Sequence, residues 1–472
     1  MWRLGRLAFL FLTLLIGFSL NQNPFTNLHH DSSPPPPIPK SVKVEKWQLT
    51  LGNKIQTLRK AIPTASRVVL VPDPATFLKA IQQWNLQQRY PILIEDDRYT
   101  PLFLNRFQPE EIIRLSSVKQ SLPFHLKTAM ENAVAAAWES DDQSLQQTWK
   151  QLEWEPPGIV ITSVNDPAWV AAVALAADRG QPLKFLEGYY GKVNQTLSSR
   201  GFKNLTQEID FLVKRSGYEY RELGDAIDPL TLVRMLPVKY RSPNNHDLRA
   251  VTDGIARKED GSRYAIAGWI YGSPERALYQ AMAAIFLDSE TALLYDSYPK
   301  TSSWQQYHFE PAIPLLKQAG LNIQHIEQPN ASQKTWQDIT SQPWNFDLAF
   351  INSRGGKANF AVGDGDASVE DIPQLKVPTA MHFLHSFSAT TPNDIDTIAG
   401  RWLNNGVYAY VGSVDEPYVS GFVPPKYILA QLSLNIPFLA ASRYTDAPPW
   451  KITTIGDPLM VINGKFKVEK EK

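Results

Sequence analysis

The sequence predicts an α/β protein: two small βαβ modules followed by a mostly parallel sheet flanked by helices. Three observations carry that prediction. Short apolar runs alternate with helix-periodic segments over most of the chain, as in "SRVVLVPDPATFLKAIQQWN" followed by "YPILIEDD", and strand–helix alternation builds parallel sheets. Some runs, such as "AMHFLHSFSA", are apolar on both faces, as expected of strands covered on each side. One strand–helix–strand unit also recurs: Asp73-Pro74-Ala75 returns as Asp166-Pro167-Ala168.

The chain has 472 residues, which suggests more than one folding unit; 43% are apolar and 20% charged, a globular composition. Lys plus Arg equals Asp plus Glu at 47 each, so charge gives no reason to expect nucleic acid as a partner. There is no cysteine, which removes disulfides, zinc–thiolate sites and a thiol nucleophile.

Taken in order, Arg3 and Arg6 precede an apolar run over 7–20. That pattern predicts a signal peptide or an uncleaved N-terminal membrane anchor over 1–23, and so an exported protein, membrane-anchored or periplasmic/extracellular. Residues 24–44 form a Pro-rich linker, stiffened by the prolines at 34–37. The adjacent His29 and His30 read as a solvated pair.

The first αβ module spans 45–150. Residues 68–71 read as a buried strand. Asp73 caps the next helix, where Phe77, Leu78, Ile81 and Trp84 fall at helical spacing. A strand over 92–94 ends in Glu95-Asp96-Asp97, a polar loop that caps the next segment; a cation there is the alternative. The second module spans 151–245, with a strand over 159–162, an alanine-rich helix and the strand in "QPLKFLEG". Asp166 caps and Pro167 opens its helix. The two copies resemble bacterial cell-wall-binding repeats, and that resemblance implies a surface-associated, non-catalytic scaffold.

The third domain spans 246–472. "RYAIAGWIYGSPERALYQAMAAIFL" reads as a strand and a helix capped by Ser273, with Pro274 first and Glu275 favouring the positive helix end. Strands follow in "TALLYDSY", "LNIQHIEQ", "NFDLAFINSRGG", "VPTAMHFLHSFSA" and "VYAYVGSVDEP". The closing run carries Gly406, Gly412-Ser413 and Gly456-Asp457-Pro458-Leu459. In that order it resembles the end of the gingipain-like, caspase-fold cysteine peptidases. The resemblance implies a catalytic histidine in one strand-end loop and a cysteine in the next. The matching positions here are Ser353-Arg354-Gly355-Gly356, without histidine, and His385 or Ser386. The expectation is a caspase-like domain lacking the dyad, a pseudoenzyme.

Local geometry points the same way. His385 and Ser386 face opposite sides of an extended strand. His382 and Ser386 share a face but lie about 13 Å apart, whereas a base must come within about 3 Å of its hydroxyl. A bend after Leu384 could change this, and remote His246, His308 or His325 could also reach the site. The expected site is therefore a binding pocket of Arg354, Gly355, Gly356, Ser386, Ser388, Asp415 and Glu416, suited to an anionic group. Arg354 could instead pair with Asp415 or Glu416. The partner would be a polypeptide or cell-wall component. Two alternatives stand beside it. One is a serine-dependent hydrolase using Ser386 or Ser388, with His385. The other is a calcium-stabilised scaffold, with Asp364, Asp366, Ser368 and Glu370 of the loop "VGDGDASVEDIP" as ligands; otherwise no cofactor is expected.

Overall fold

Val68, Val69, Leu70 and Val71 are all buried, as a strand flanked on both edges requires. In this computed structural model the strand Arg67–Val71 pairs in parallel with Ile92–Ile94 on one side and Glu111–Arg114 on the other. The structure describes residues 43–118, 122–140, 144–243, 245–301 and 304–462, all within one unit that covers 35–472. The expected signal or anchor segment and nearly all of the linker lie outside these residues. No helix among the described residues is long and apolar enough to cross a membrane.

The link between strand and helix in the first module is the expected one. The Asp73 carboxylate accepts the Thr76 N–H at 2.7 Å, and Pro74 opens the helix Pro74–Ile81. The second module repeats the arrangement: Ile159–Thr162 lies between Leu183–Phe185 and Pro229–Val233, all parallel. Its helix, however, starts at Trp169 rather than Pro167. Asp166 does not cap that helix in the usual way. One oxygen accepts the Ala168 N–H at 3.0 Å and the other the Met235 N–H at 2.6 Å, which ties the turn to the end of the neighbouring strand. The strand Ile266–Ile270, read with the third domain, pairs along its length with Pro229–Val233 and so belongs to this second sheet. Its helix Pro274–Phe286 packs on Trp169–Arg179. Alanines along both helices let the backbones approach.

The third sheet runs in the order Asn322–Glu327, Thr291–Asp296, Leu348–Asn352, Thr379–Leu384, Val407–Ser413, Ile452–Ile455. The first five strands are parallel and the last is antiparallel. Thr379–Leu384 is central and buried along its whole length. The protein is thus a mixed α/β fold of mostly parallel sheets flanked by helices. "VGDGDASVEDIP", expected as a loop, instead contributes to a hairpin of Asn359–Ala361 with Asp366–Ser368. Gly363 turns it at φ +110°, and a Cβ there would overlap the Ala331 carbonyl.

Candidate functional site

Asp296, Asn352 and Leu384 are partners in one row across the strand ends of the third sheet. Partners in register point to the same face, and neighbours along a strand to opposite faces. His382 and Leu384 therefore face with Asp296 and Asn352, whereas Phe383 and His385 face away.

Neither histidine of the central strand is free to act. His382 stacks on Phe350 (centroids 5.1 Å apart, 13° between planes) and meets the edge of Phe422. Both its ring nitrogens are buried without a hydrogen-bond partner, and burial pushes its pKa down to about 3. His385 lies 3.1 Å through Nε2 from the Asn359 carbonyl. Burial again lowers its pKa, to about 4. Both rings are neutral near pH 7.

The chain then leaves the sheet. Phe387 takes φ +59°, in the left-handed region. The Ser386 hydroxyl is half-buried and has no imidazole or lysine nitrogen within hydrogen-bond distance among the described residues. Ser388 is fully buried. Its hydroxyl accepts the Ser413 N–H at 3.2 Å, and its carbonyl accepts the Ala399 N–H at 2.9 Å in the first turn of the helix Ile398–Asn404. Ser388 thus fastens the turn rather than facing a ligand.

The other expected pocket residues only partly converge. Arg354 is exposed and forms no ion pair among the described residues. The Gly356 N–H donates to Asn359 Oδ1 at 3.0 Å, so this amide is not open to an anion. Gly355 bridges to Phe360 at φ +150°, and a Cβ there would press on the Asn359 carbonyl and the His385 ring. Asp415 pairs with the buried Lys451 at 3.3 Å rather than with Arg354, and burial raises its pKa. Glu416 accepts the Tyr418 N–H at 2.9 Å.

The hairpin acids are drawn to separate tasks. Asp364 accepts the Gln333 N–H at 2.8 Å at the start of the helix Gln333–Thr340, and Asp371 closes a capping box with Ser368. Asp366 and Glu370 are exposed. No group of three or more possible metal ligands occurs among the described residues. Asp96 accepts the Tyr99 and Thr100 N–H groups at 3.0 and 2.9 Å and so caps the next helix, while Glu95 pairs with Arg114 at 2.9 Å.

Of the remote histidines, His246 is exposed and His325 lies 3.8 Å from Glu327. His308 matters more. Its Nδ1 is hydrogen-bonded to the fully buried Asp296, and its Nε2 is buried without a partner. Burial raises the Asp296 carboxyl, against the pull of the His308 ring. Asn352 Nδ2 also reaches Asp296, at 3.4 Å. The sequence showed His308 only as one of several distant candidates. Its partner sits across an irregular segment, which has no period to follow.

No family model and no curated protein matches the chain. Two solved structures are similar to it. The Arg-specific cysteine proteinase gingipain R is 14% identical with a TM-score of 0.42, over 66% of this chain and 79% of that one. A structure described as a protease is 12% identical with a TM-score of 0.42, over 64% and 78%.

Proposed function

We propose that this chain is a non-catalytic binding protein of the cell envelope. Its third sheet offers Arg354, beside Ser386, to an acidic group on a polypeptide or wall component. One observation supports this above the others: the Ser386 hydroxyl has no base, and the two nearest histidines in sequence are buried and neutral. A serine without a base within about 3 Å is a weak nucleophile. Arg354, exposed and unpaired, keeps its donors for a ligand. Export rests on the N-terminal sequence pattern alone.

The test has two arms. A fluorophosphonate probe should not label the purified protein, and Arg354→Ala should weaken binding of a glutamate-rich peptide about tenfold, the worth of a charge-assisted hydrogen bond. Ser386→Ala should change neither stability nor that binding. Labelling that disappears in Ser386→Ala would overturn the proposal.

A hydrolase is the second reading, and the Asp296–His308 pair favours it. A carboxylate that orients an imidazole with a free Nε2 is the base half of a hydrolytic triad. Asp296 shares a face with His382. If the probe labels a serine and His308→Gln abolishes the labelling while the fold persists, this reading replaces the first.

A further inference from the structure

Three arginines converge on one carboxylate away from the sheet edge. The side chains of Arg257, Arg263 and Arg443 are 4%, 2% and 2% exposed, and that of Asp253 is 5%. Arg263 and Arg443 both bond Asp253 Oδ1, while Oδ2 takes the Trp450 N–H and lies 3.6 Å from Arg257. Asp253 is the only carboxylate within 4 Å of these guanidinium groups among the described residues. The cluster therefore carries three positive charges against one negative, 3 − 1 = +2, out of water.

The remaining donors meet mostly neutral acceptors. Arg257 donates to the carbonyls of Gly261 and Ala447 at 2.6 and 2.9 Å. Arg443 donates to the Ile452 carbonyl at 2.7 Å and to Thr252 and Thr454 hydroxyls at 3.0 and 2.8 Å. Carbonyls satisfy N–H groups but do not cancel charge. Three donors still lack an acceptor: Nε of Arg263, Nε of Arg443 and Nη2 of Arg257. A buried donor without an acceptor and a buried charge without a counter-charge are both costly.

A recess of about 20 Å3 lies against this cluster, lined by Asp253, Arg263, Ser442, Arg443 and Trp450. That volume holds one water-sized particle. It is too small for a phosphate or an amino-acid side chain. We infer that the recess binds one small monovalent anion of the size and charge of chloride. The anion sits against the Arg263 and Arg443 guanidinium groups, which line the recess, and lowers the net charge of the cluster to +1. The larger cleft outside carries four carboxylates, Glu45, Glu222, Asp260 and Asp446, against two cations, Lys258 and Arg263. Glu45 accepts the Thr445 hydroxyl at 2.8 Å, and Asp260 accepts the Ser262 hydroxyl at 2.6 Å. This acidic rim opposes entry of a polyanion.

The first two measurements use the full-length protein without substitution. Crystals grown in sodium bromide should show an anomalous peak in the recess. In solution, replacing gluconate by chloride at constant ionic strength should raise Tm by about 2 °C per tenfold increase in chloride. A bromide map without a peak beside Arg263 and Arg443, or equal Tm in the two salts, overturns the inference. Arg443→Gln should abolish the chloride dependence. If that variant does not fold, the bromide map on the unaltered protein decides.

Discussion

His382 should make this protein acid-sensitive, and the size of the effect follows from its surroundings. The ring stacks on Phe350 and meets Phe422 edge-on, has no hydrogen-bond partner, and its pKa is pushed down to about 3. An unfolded histidine titrates near 6.5. Between these two values the unfolded chain holds a proton that the folded chain refuses. A depressed folded pKa thus leaves stability intact above pH 6.5 and removes it as pH falls toward 3. At about 1.4 kcal/mol per unit, His382 costs about 2 kcal/mol at pH 5. His385, lowered to about 4, adds about 2 kcal/mol more on the same scale. Together they are a large share of the roughly 5–15 kcal/mol that holds a domain folded. His382→Leu removes the titration and two unpartnered nitrogens, at the loss of a ring stack. At pH 7 these effects, each about 1 kcal/mol, roughly cancel. At pH 5 the variant should exceed the parent by about 2 kcal/mol. Urea midpoints followed by tryptophan fluorescence at pH 7 and pH 5 measure both values. If the variant loses as much stability as the parent between these pH values, the buried neutral imidazole is not the cause.

Two further outcomes are expected. Asp253→Asn removes the carboxylate that pairs with three buried guanidinium groups and should cost about 3–5 kcal/mol, read as a lower Tm and urea midpoint at pH 7. Burial alone would raise the Asp253 pKa, but Arg263, Arg443 and Arg257 together hold it below the usual carboxylate range. Its contribution is present above the unfolded value near 3.9 and is lost as pH falls through the folded value, so the gap between parent and variant should narrow only below about pH 4. Gly363→Ala should destabilise by about 2–3 kcal/mol by thermal melting, because φ +110° and the Ala331 carbonyl both exclude a Cβ. An unchanged Tm would mean that the hairpin turn relaxes.

The strand end around Ser386 combines features that usually serve different ends. Phe387 holds a left-handed backbone, as strained functional turns do. Yet Ser388 uses that turn to fasten the helix Ile398–Asn404 to the sheet. The bend is therefore accounted for by packing; of the expected pocket residues Arg354 is exposed and Ser386 half-buried. Asp296 and His308 form a separate polar pair at the same edge, which is why the hydrolase reading is tied to His308 and not to His385.

Local sequence determined most of the elements. Continuous apolar runs between turn signals suit strands covered on both faces, so the strands ending at Asp296, Asn352, Leu384 and Ser413 were legible from the local pattern. Asp73 and Ser273 announced their helices because a cap acts within three residues. Period-two alternation also showed that His385 and Ser386 could not face one another. What only the tertiary structure decided depends on contacts distant in sequence. Ile266–Ile270 joined the second sheet because its partner, Pro229–Val233, offered a matching edge, and no local pattern encodes the choice of neighbour. Ile452–Ile455, rich in threonine, became a strand because the edge of Val407–Ser413 was open to it. Asp415 turned to Lys451, Asp364 to the amide of Gln333, and Asp296 to His308. A charge pairs with whichever partner folding brings within reach, and that proximity is a property of the assembled sheets and not of the chain near the residue.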